Sequence, residues 1–126
     1  MALYRSFLFA PGNHARRVEK ALGLDADAVI LDLEDAVAIA EKPATRAVVV
    51  QALQERERTG LGYVRVNAFD TPFCYGDIVG VVHPGVDGIV LPKLESVSQL
   101  QAVEWLIANL EAERGLAIGG IDVIPE

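Results

Sequence analysis

The chain has 126 residues, 52% of them hydrophobic and 23% charged, so it carries enough apolar surface to bury a core and is not a disordered chain. Eleven Lys and Arg against eighteen Asp and Glu leave a net charge of -7, which argues against nucleic acid as a partner, because phosphate binding needs a cationic footprint. One cysteine, Cys74, excludes an internal disulfide framework, and no apolar run approaches the roughly 20 residues of a membrane span. The expectation is one cytoplasmic, globular domain over residues 1–126.

In chain order, short apolar runs alternate with stretches of helical period. Residues 6–9 read as a first strand, stopped at Pro11-Gly12, and Asn13 is placed to cap a helix through Leu22. Residues 28–31 are continuously apolar, the pattern of a strand buried on both faces. Residues 41–58 read as a helix with Pro43 in its first turn, and residues 63–66 as a third strand. A short helix over 75–82 precedes a fourth strand at 88–91. Ser96 with Gln99 three residues on forms a capping-box pattern. Leu100, Val103, Leu106, Ile107 and Leu110 then make an apolar stripe at helical spacing, with Trp105 and the leucines beside it assigned to the core. A fifth strand begins at Ile121.

Four β-α units and the start of a fifth strand predict a parallel sheet with right-handed crossovers. Two plans satisfy that order. A five-stranded doubly wound sheet fits the length, whereas an eight-stranded barrel needs about 250 residues, of which this chain is half. No G-x-G-x-x-G follows the first strand, which disfavours a dinucleotide site.

In either plan, ligands gather at the carboxyl ends of the strands. The first strand delivers Pro11, Gly12, Asn13 and His14 there, followed by Arg16, Arg17 and Lys20, a possible phosphate site or a charged helix face. The second delivers Asp32, Glu34 and Asp35, the third Arg65 and Asn67, the fourth Lys93 and Glu95. Strand alternation puts Asp32 and Glu34 on one face, where they either bind a hard cation or hydrogen-bond nearby loops. Arg65, between two valines, needs a partner: a substrate carboxylate or enolate-like oxygen, or a structural pair with Asp32 or Glu34. Lys93 either meets an anionic substrate or is a solvated side chain. His14, His83 and Cys74 lie in no zinc, nucleophile-elbow or phosphate-loop spacing.

Five blocks carry a resemblance: Arg5-Ser6-Phe7-Leu8-Phe9-Ala10-Pro11-Gly12, the stretch from Asp27 to Val37 that includes Asp32-Leu33-Glu34-Asp35, Glu41-Lys42-Pro43-Ala44-Thr45-Arg46, Val64-Arg65-Val66-Asn67, and Gly88 to Ser96 with Leu91-Pro92-Lys93. Together and in this order they resemble the citrate lyase β-subunit family, within the HpcH/HpaI aldolase superfamily; His14, where Arg is more usual, departs from it. The resemblance implies the N-terminal half of a TIM (β/α)8 barrel, about four βα units plus the start of strand 5, usually built into trimers or hexamers. It implies a Mg2+-dependent carbon–carbon lyase on citryl-, malyl- or citramalyl-CoA-like thioesters, the carrier being free CoA or an acyl carrier protein, and a 2-oxo acid as the partner product.

By that resemblance Arg65, Glu34 and Asp35 are catalytic: Arg65 holds the keto-acid portion and its developing oxyanion, and the two carboxylates contact metal-bound water or orient the substrate. Arg5 and Lys93 line the anionic pocket with Arg65, and Pro11 and Gly12 lie near the thioester carrier. The magnesium acts as a Lewis acid on ligands expected just after Glu126, and neither Glu126 nor any other residue of the chain is counted among them. The 126-residue chain alone is therefore expected to show little or no lyase activity. Two alternatives stay open: a pyruvate-type aldolase acting on free 2-oxo acids, and a non-catalytic half-barrel that pairs with itself or another chain.

Overall fold

In the computed structural model, residues 7–24, 26–55 and 60–126 are described. Arg5 and the predicted helix end at residue 58 lie outside them. Strand β1 (Phe7–Pro11) leads to helix α1 (Ala15–Leu22), β2 (Ala28–Asp32), a 3-10 turn (Ile39–Glu41) and α2 (Lys42–Glu55). Then follow β3 (Leu61–Arg65), α3 (Cys74–Val81), β4 (Gly88–Leu91), α4 (Val97–Glu113) and β5 (Asp122–Pro125). All five strands are parallel and ordered β1-β2-β3-β4-β5.

That order decides between the two plans. A doubly wound sheet reverses strand order at a switch point and carries helices on both faces. Here each strand pairs with its successor, and one face holds the main core. Val29, Leu31, Leu33, Val64, Val66, Ile89 and Leu91 point from the sheet to meet Val18, Val49, Leu53, Ile78, Val81, Val103 and Ile107 of the helices. The opposite face carries a smaller cluster of Ala28, Ile30, Tyr63 and Val90, with Leu61 and Ile124 against it. Consecutive parallel strands with their helices on one side are the wall of a (β/α)8 barrel, and the second face is its interior.

Local chemistry explains the element ends. Helix α1 is capped by His14, not Asn13: the imidazole Nδ1 accepts from the Arg17 amide at 3.4 Å. Asn13 instead donates its side-chain amide to Glu41 Oε2 at 2.9 Å, tying the β1–α1 turn to α2. Ser96 Oγ accepts from the Gln99 amide as predicted, but Gln99 returns the bond to the Glu95 amide, one residue ahead of the usual partner. Buried Glu111 accepts from the Gly119 and Ile121 amides, which aligns the turn that enters β5.

The assignment of Trp105 to the core is corrected by its position. The α4 stripe buries Val103, Ile107 and Leu110, and Trp105 lies off it at 67% exposure. Its neighbours Leu100 and Leu106 do pack against the core. With Phe69 and Tyr75 the indole borders a shallow apolar depression between α3 and α4.

Gly12 is a structural necessity. Its amide donates to the Asp32 carbonyl at 2.8 Å, joining the end of β1 to the end of β2. A Cβ there would lie 2.7 Å from both that oxygen and Val49 Cγ1. Gly12→Ala should therefore cost about 1–3 kcal/mol by overpacking, read as a lowered urea midpoint, and an unchanged midpoint would refute this close approach.

Candidate active site

The carboxyl ends of the strands bring the predicted charges together because of register. Pro11 is level with Asp32, Asp32 with Arg65, and Arg65 with Val90. Neighbouring residues level in a parallel sheet point to the same face at roughly 4.8 Å spacing. Asp32 and Arg65 are thus adjacent on the interior face, and Arg65 Nε donates to Asp32 Oδ1 at 2.8 Å. Glu34, one alternation further on, presents Oε1 to the same nitrogen at 3.7 Å. The two carboxylates do share a face, and the structural pair with Arg65 exists.

Asp32 is 2% exposed, and both its oxygens are committed. Oδ1 accepts from the Glu34 amide and from Arg65, and Oδ2 accepts from the Ala36 amide, each within 2.9 Å. It therefore folds the 33–36 turn and aims Arg65 at once. Burial alone would raise its carboxyl pKa, but the Arg65 hydrogen bond and the two amides outweigh that and hold it below the ordinary value. Asp32, through its hydrogen bond, likewise raises the pKa of Arg65 against a smaller desolvation cost, so the guanidinium stays charged.

Arg65 spends Nε on Asp32 and turns the outer fork toward the cavity, where Nη1 also meets Glu126. That cavity, about 270 Å³, is lined by Phe9, Ala10, Pro11, Asp32, Ala36 and Arg65. The Phe9 ring lies under the guanidinium, 5.2 Å from ring centre to Cζ, and is 53% exposed. Such stacking favours a fixed guanidinium plane. Glu126 Oε1 approaches Nη1 at 3.5 Å from the end of β5.

Lys93 reaches into the same rim from the β4 end. Its Nζ lies 3.3 Å from Glu34 Oε2 and 3.8 Å from Asp35 Oδ1. The side chain is 66% exposed, and the Glu34 carboxylate raises its pKa. Its backbone has φ +53°, unique to it among the described non-glycine residues. A lysine gains nothing intrinsic from the left-handed region, and strained backbone concentrates at functional positions. Asp35 is exposed and its carboxylate faces Lys93. Pro11 lines the cavity beside Arg65, whereas Gly12 is buried and is not among the residues lining it. Asn67 also leaves the rim: it is buried and bonded to Lys42 and Asp77.

The arrangement can bind a small dianion, with a fixed fork at Arg65, a mobile ammonium at Lys93 and Glu34 between them. It does not by itself hold a metal. Asp32 is saturated, Glu34 faces two cations, and no group of three His, Cys, Asp or Glu side chains among the described residues could hold an ion. Cys74 offers no nucleophile, since burial and then the Asp77 charge push its thiol pKa up to about 11.

Two groups escaped the sequence reading. Phe9 sits in a run that reads only as strand, and Lys42 in a segment that reads only as helix; in neither does spacing disclose a partner. Asp32→Asn should cost about 1–3 kcal/mol at pH 7, because the amide cannot replace the charge-assisted bond to Arg65. With its folded pKa lowered, the Asp32 contribution is complete above the ordinary value of 3.8 and fades as pH falls through the folded value. Urea melts of both proteins should therefore converge on acidification below about pH 4, and a gap that widens there would overturn the assignment.

Comparison with known proteins matches this geometry to a family. The family model for HpcH/HpaI aldolase/citrate lyase matches residues 5–125. The citrate lyase subunit beta of Leuconostoc mesenteroides subsp. cremoris is 41% identical over 118 residues, covering 93% of this chain and 39% of its own length. The L-malyl-CoA/beta-methylmalyl-CoA lyase of Rhodobacter capsulatus is 37% identical over 118 residues, covering 90% of this chain and 37% of its own length. Among solved structures, the citrate lyase beta subunit from M. tuberculosis, complexed with oxaloacetate and magnesium, superposes with TM-score 0.67 at 34% identity. The match covers 94% of this chain and 45% of that one. Haloferax volcanii malate synthase superposes with TM-score 0.88 over 99% of this chain and 39% of its own, at 20% identity, and so attests to the fold alone. The chain spans about two-fifths of the length of the curated relatives it matches. By sequence and by barrel wall alike, this chain belongs to the HpcH/HpaI aldolase/citrate lyase family, whose named relatives here include lyases of CoA thioesters.

Proposed function

We propose that this chain supplies the N-terminal half of a barrel that cleaves or forms the carbon–carbon bond of a 3-hydroxyacyl-CoA thioester of the citryl, malyl or citramalyl type. The observation that carries the reading is Arg65: a permanently charged fork, fixed by Asp32 and Phe9, opening on a cavity at the carboxyl end of the sheet. In the cleavage direction the bond between the carbinol carbon and the thioester α-carbon breaks. The carbinol loses its hydroxyl proton and becomes the carbonyl of a 2-oxo acid, while the electron pair of the broken bond passes to the thioester α-carbon, which takes up a proton.

Negative charge is present on the acid's carboxylate and develops on the reacting oxygens. A planar two-pronged donor already desolvated and oriented stabilises such charge without reorganising during the reaction. Lys93 closes over the same anion from β4, and Glu34 and Asp35 orient it and the ammonium. Pro11 forms the wall toward β1. The placement of Arg5 in the pocket stays part of the proposal.

Magnesium belongs to this reading on the strength of the M. tuberculosis complex. The carboxylates described here do not make a site for it, so no step is assigned to the metal, and its ligands are sought outside this chain. Oligomerisation of the assembled barrel, and a cytoplasmic setting, remain parts of the same proposal. Among the described residues no helix is long and apolar enough to cross a membrane.

The test is a Mg2+-dependent cleavage assay with malyl-CoA and citryl-CoA in the protein that contains this chain. Arg65→Ala should lower kcat/KM about 100- to 1,000-fold, the size of loss seen when one oriented oxyanion donor is removed. Arg65→Lys should recover only a small part, because an ammonium lacks the fork. An Arg65→Ala enzyme with the parent rate would reduce Arg65 to a structural ion pair. Turnover of free hydroxy-oxo acids in preference to thioesters would favour an aldolase acting without CoA.

A further inference from the structure

The Glu41-Lys42-Pro43-Ala44-Thr45-Arg46 block has no part in the site as described, yet Lys42 is a buried cation pressed against its underside. The residue is 6% exposed at the start of α2. Its Nζ donates to the Leu33 carbonyl at 2.9 Å, the Glu34 carbonyl at 2.6 Å and Asn67 Oδ1 at 2.8 Å. Three acceptors match the three donors of an ammonium. The Phe73 ring covers it at 5.7 Å. An apolar group of similar volume would avoid the desolvation cost that an ammonium meets in such a place.

The bonds fall where the chain leaves β2 and turns under the cavity. The Glu34 peptide is held on both sides: its N–H by Asp32 Oδ1 at 2.9 Å, its carbonyl by Lys42. Between those two points the Glu34 side chain leaves the backbone and reaches Arg65 and Lys93. Behind Lys42 the network continues away from the cavity. Asn67 donates Nδ2 to Asp77 Oδ2 at 2.7 Å, and Arg46 Nε donates to Asp77 Oδ1 at 2.8 Å. The near end of the network touches the turn, and the far end joins α2 to α3.

We propose that Lys42 is a positioning residue: through the Leu33 and Glu34 carbonyls it sets the direction of the Glu34 carboxylate, and with it the gap between Arg65 and Lys93 that an anion enters. This rests on the reading that Arg65, Glu34 and Lys93 receive an anionic substrate. A role confined to folding predicts something different, namely that any break in the network acts in proportion to the stability lost.

Lys42→Met and Arg46→Met separate the two. Each removes one cation from the network, but Arg46→Met leaves the bonds of Lys42 to the turn in place. Three readouts are taken on the 126-residue chain: the melting temperature, the backbone amide resonances of Glu34 to Ala36, and the dissociation constant for oxaloacetate. Lys42→Met should displace those amide resonances and weaken oxaloacetate at least ten-fold. Arg46→Met should lower the melting temperature comparably, yet keep the resonances and bind within two-fold of the parent.

Equal weakening by both variants, or unmoved Glu34 to Ala36 resonances in Lys42→Met, would overturn the proposal. Should Lys42→Met fail to fold, Lys42→Arg replaces it: the larger, planar guanidinium cannot direct three donors from one nitrogen as the ammonium does, so displaced resonances are again expected and unchanged ones refute. If the parent chain binds no oxaloacetate, the anion-site reading fails for this chain, and the positioning claim is judged on the amide resonances alone.

Discussion

One buried carboxylate organises this half-barrel's functional end. Asp32 closes β2, folds the turn that follows through two amides, and holds the guanidinium of the next strand. Remove its charge and three features lose their reference together: the path of residues 33–36, the plane of Arg65, and the direction of Glu34. A charge in that position is costly to desolvate, and the structure offsets the cost with three donors on two oxygens. Carboxylate and guanidinium each keep the other ionised.

Rigidity at Asp32 is answered by freedom opposite. Lys93 is exposed, tethered to Glu34 and Asp35 at longer range, and carried on a left-handed backbone residue. The site therefore has one fixed wall, built by sheet register, and one adjustable wall, built by a turn after β4. Phe9 and Pro11 close the β1 side with apolar surface, which lowers the local dielectric around the charged fork.

The support beneath is polar rather than oily. Lys42, Asn67, Asp77 and Arg46 run from the turn under the cavity to the α2–α3 contact, where the Arg46 side chain lies against the Gly76 and Gly80 backbone. A Cβ at Gly76 would fall 2.7 Å from the guanidinium, so a side chain there would have to displace the arginine. A fully bonded network of this kind specifies one arrangement of two helices and a turn, which close-packed leucines would leave freer.

How much of this the amino-acid order discloses depends on the distance between partners. The strand and helix pattern, the parallel sheet and the gathering of Asp32, Glu34, Arg65 and Lys93 at one rim follow from periods of 2 and 3.6 and from the rule for strand ends. Alternation also put Asp32 and Glu34 on one face. Local sequence left open which of them takes Arg65, because a two-residue shift of register between β2 and β3 exchanges one for the other while keeping every side chain on its face. Tertiary structure decided it, by setting Asp32 level with Arg65. It also decided barrel wall over doubly wound sheet, a matter of which strands become neighbours and invisible to periodicity. It left Trp105 exposed, off the buried stripe of α4, moved the α1 cap from Asn13 to His14, and bonded Lys42 to carbonyls eight and nine residues away. Sequence alone determines which side chains are available and which face of an element they share; packing alone determines which of them meet, because contact across strands depends on register and crossover that no local pattern encodes.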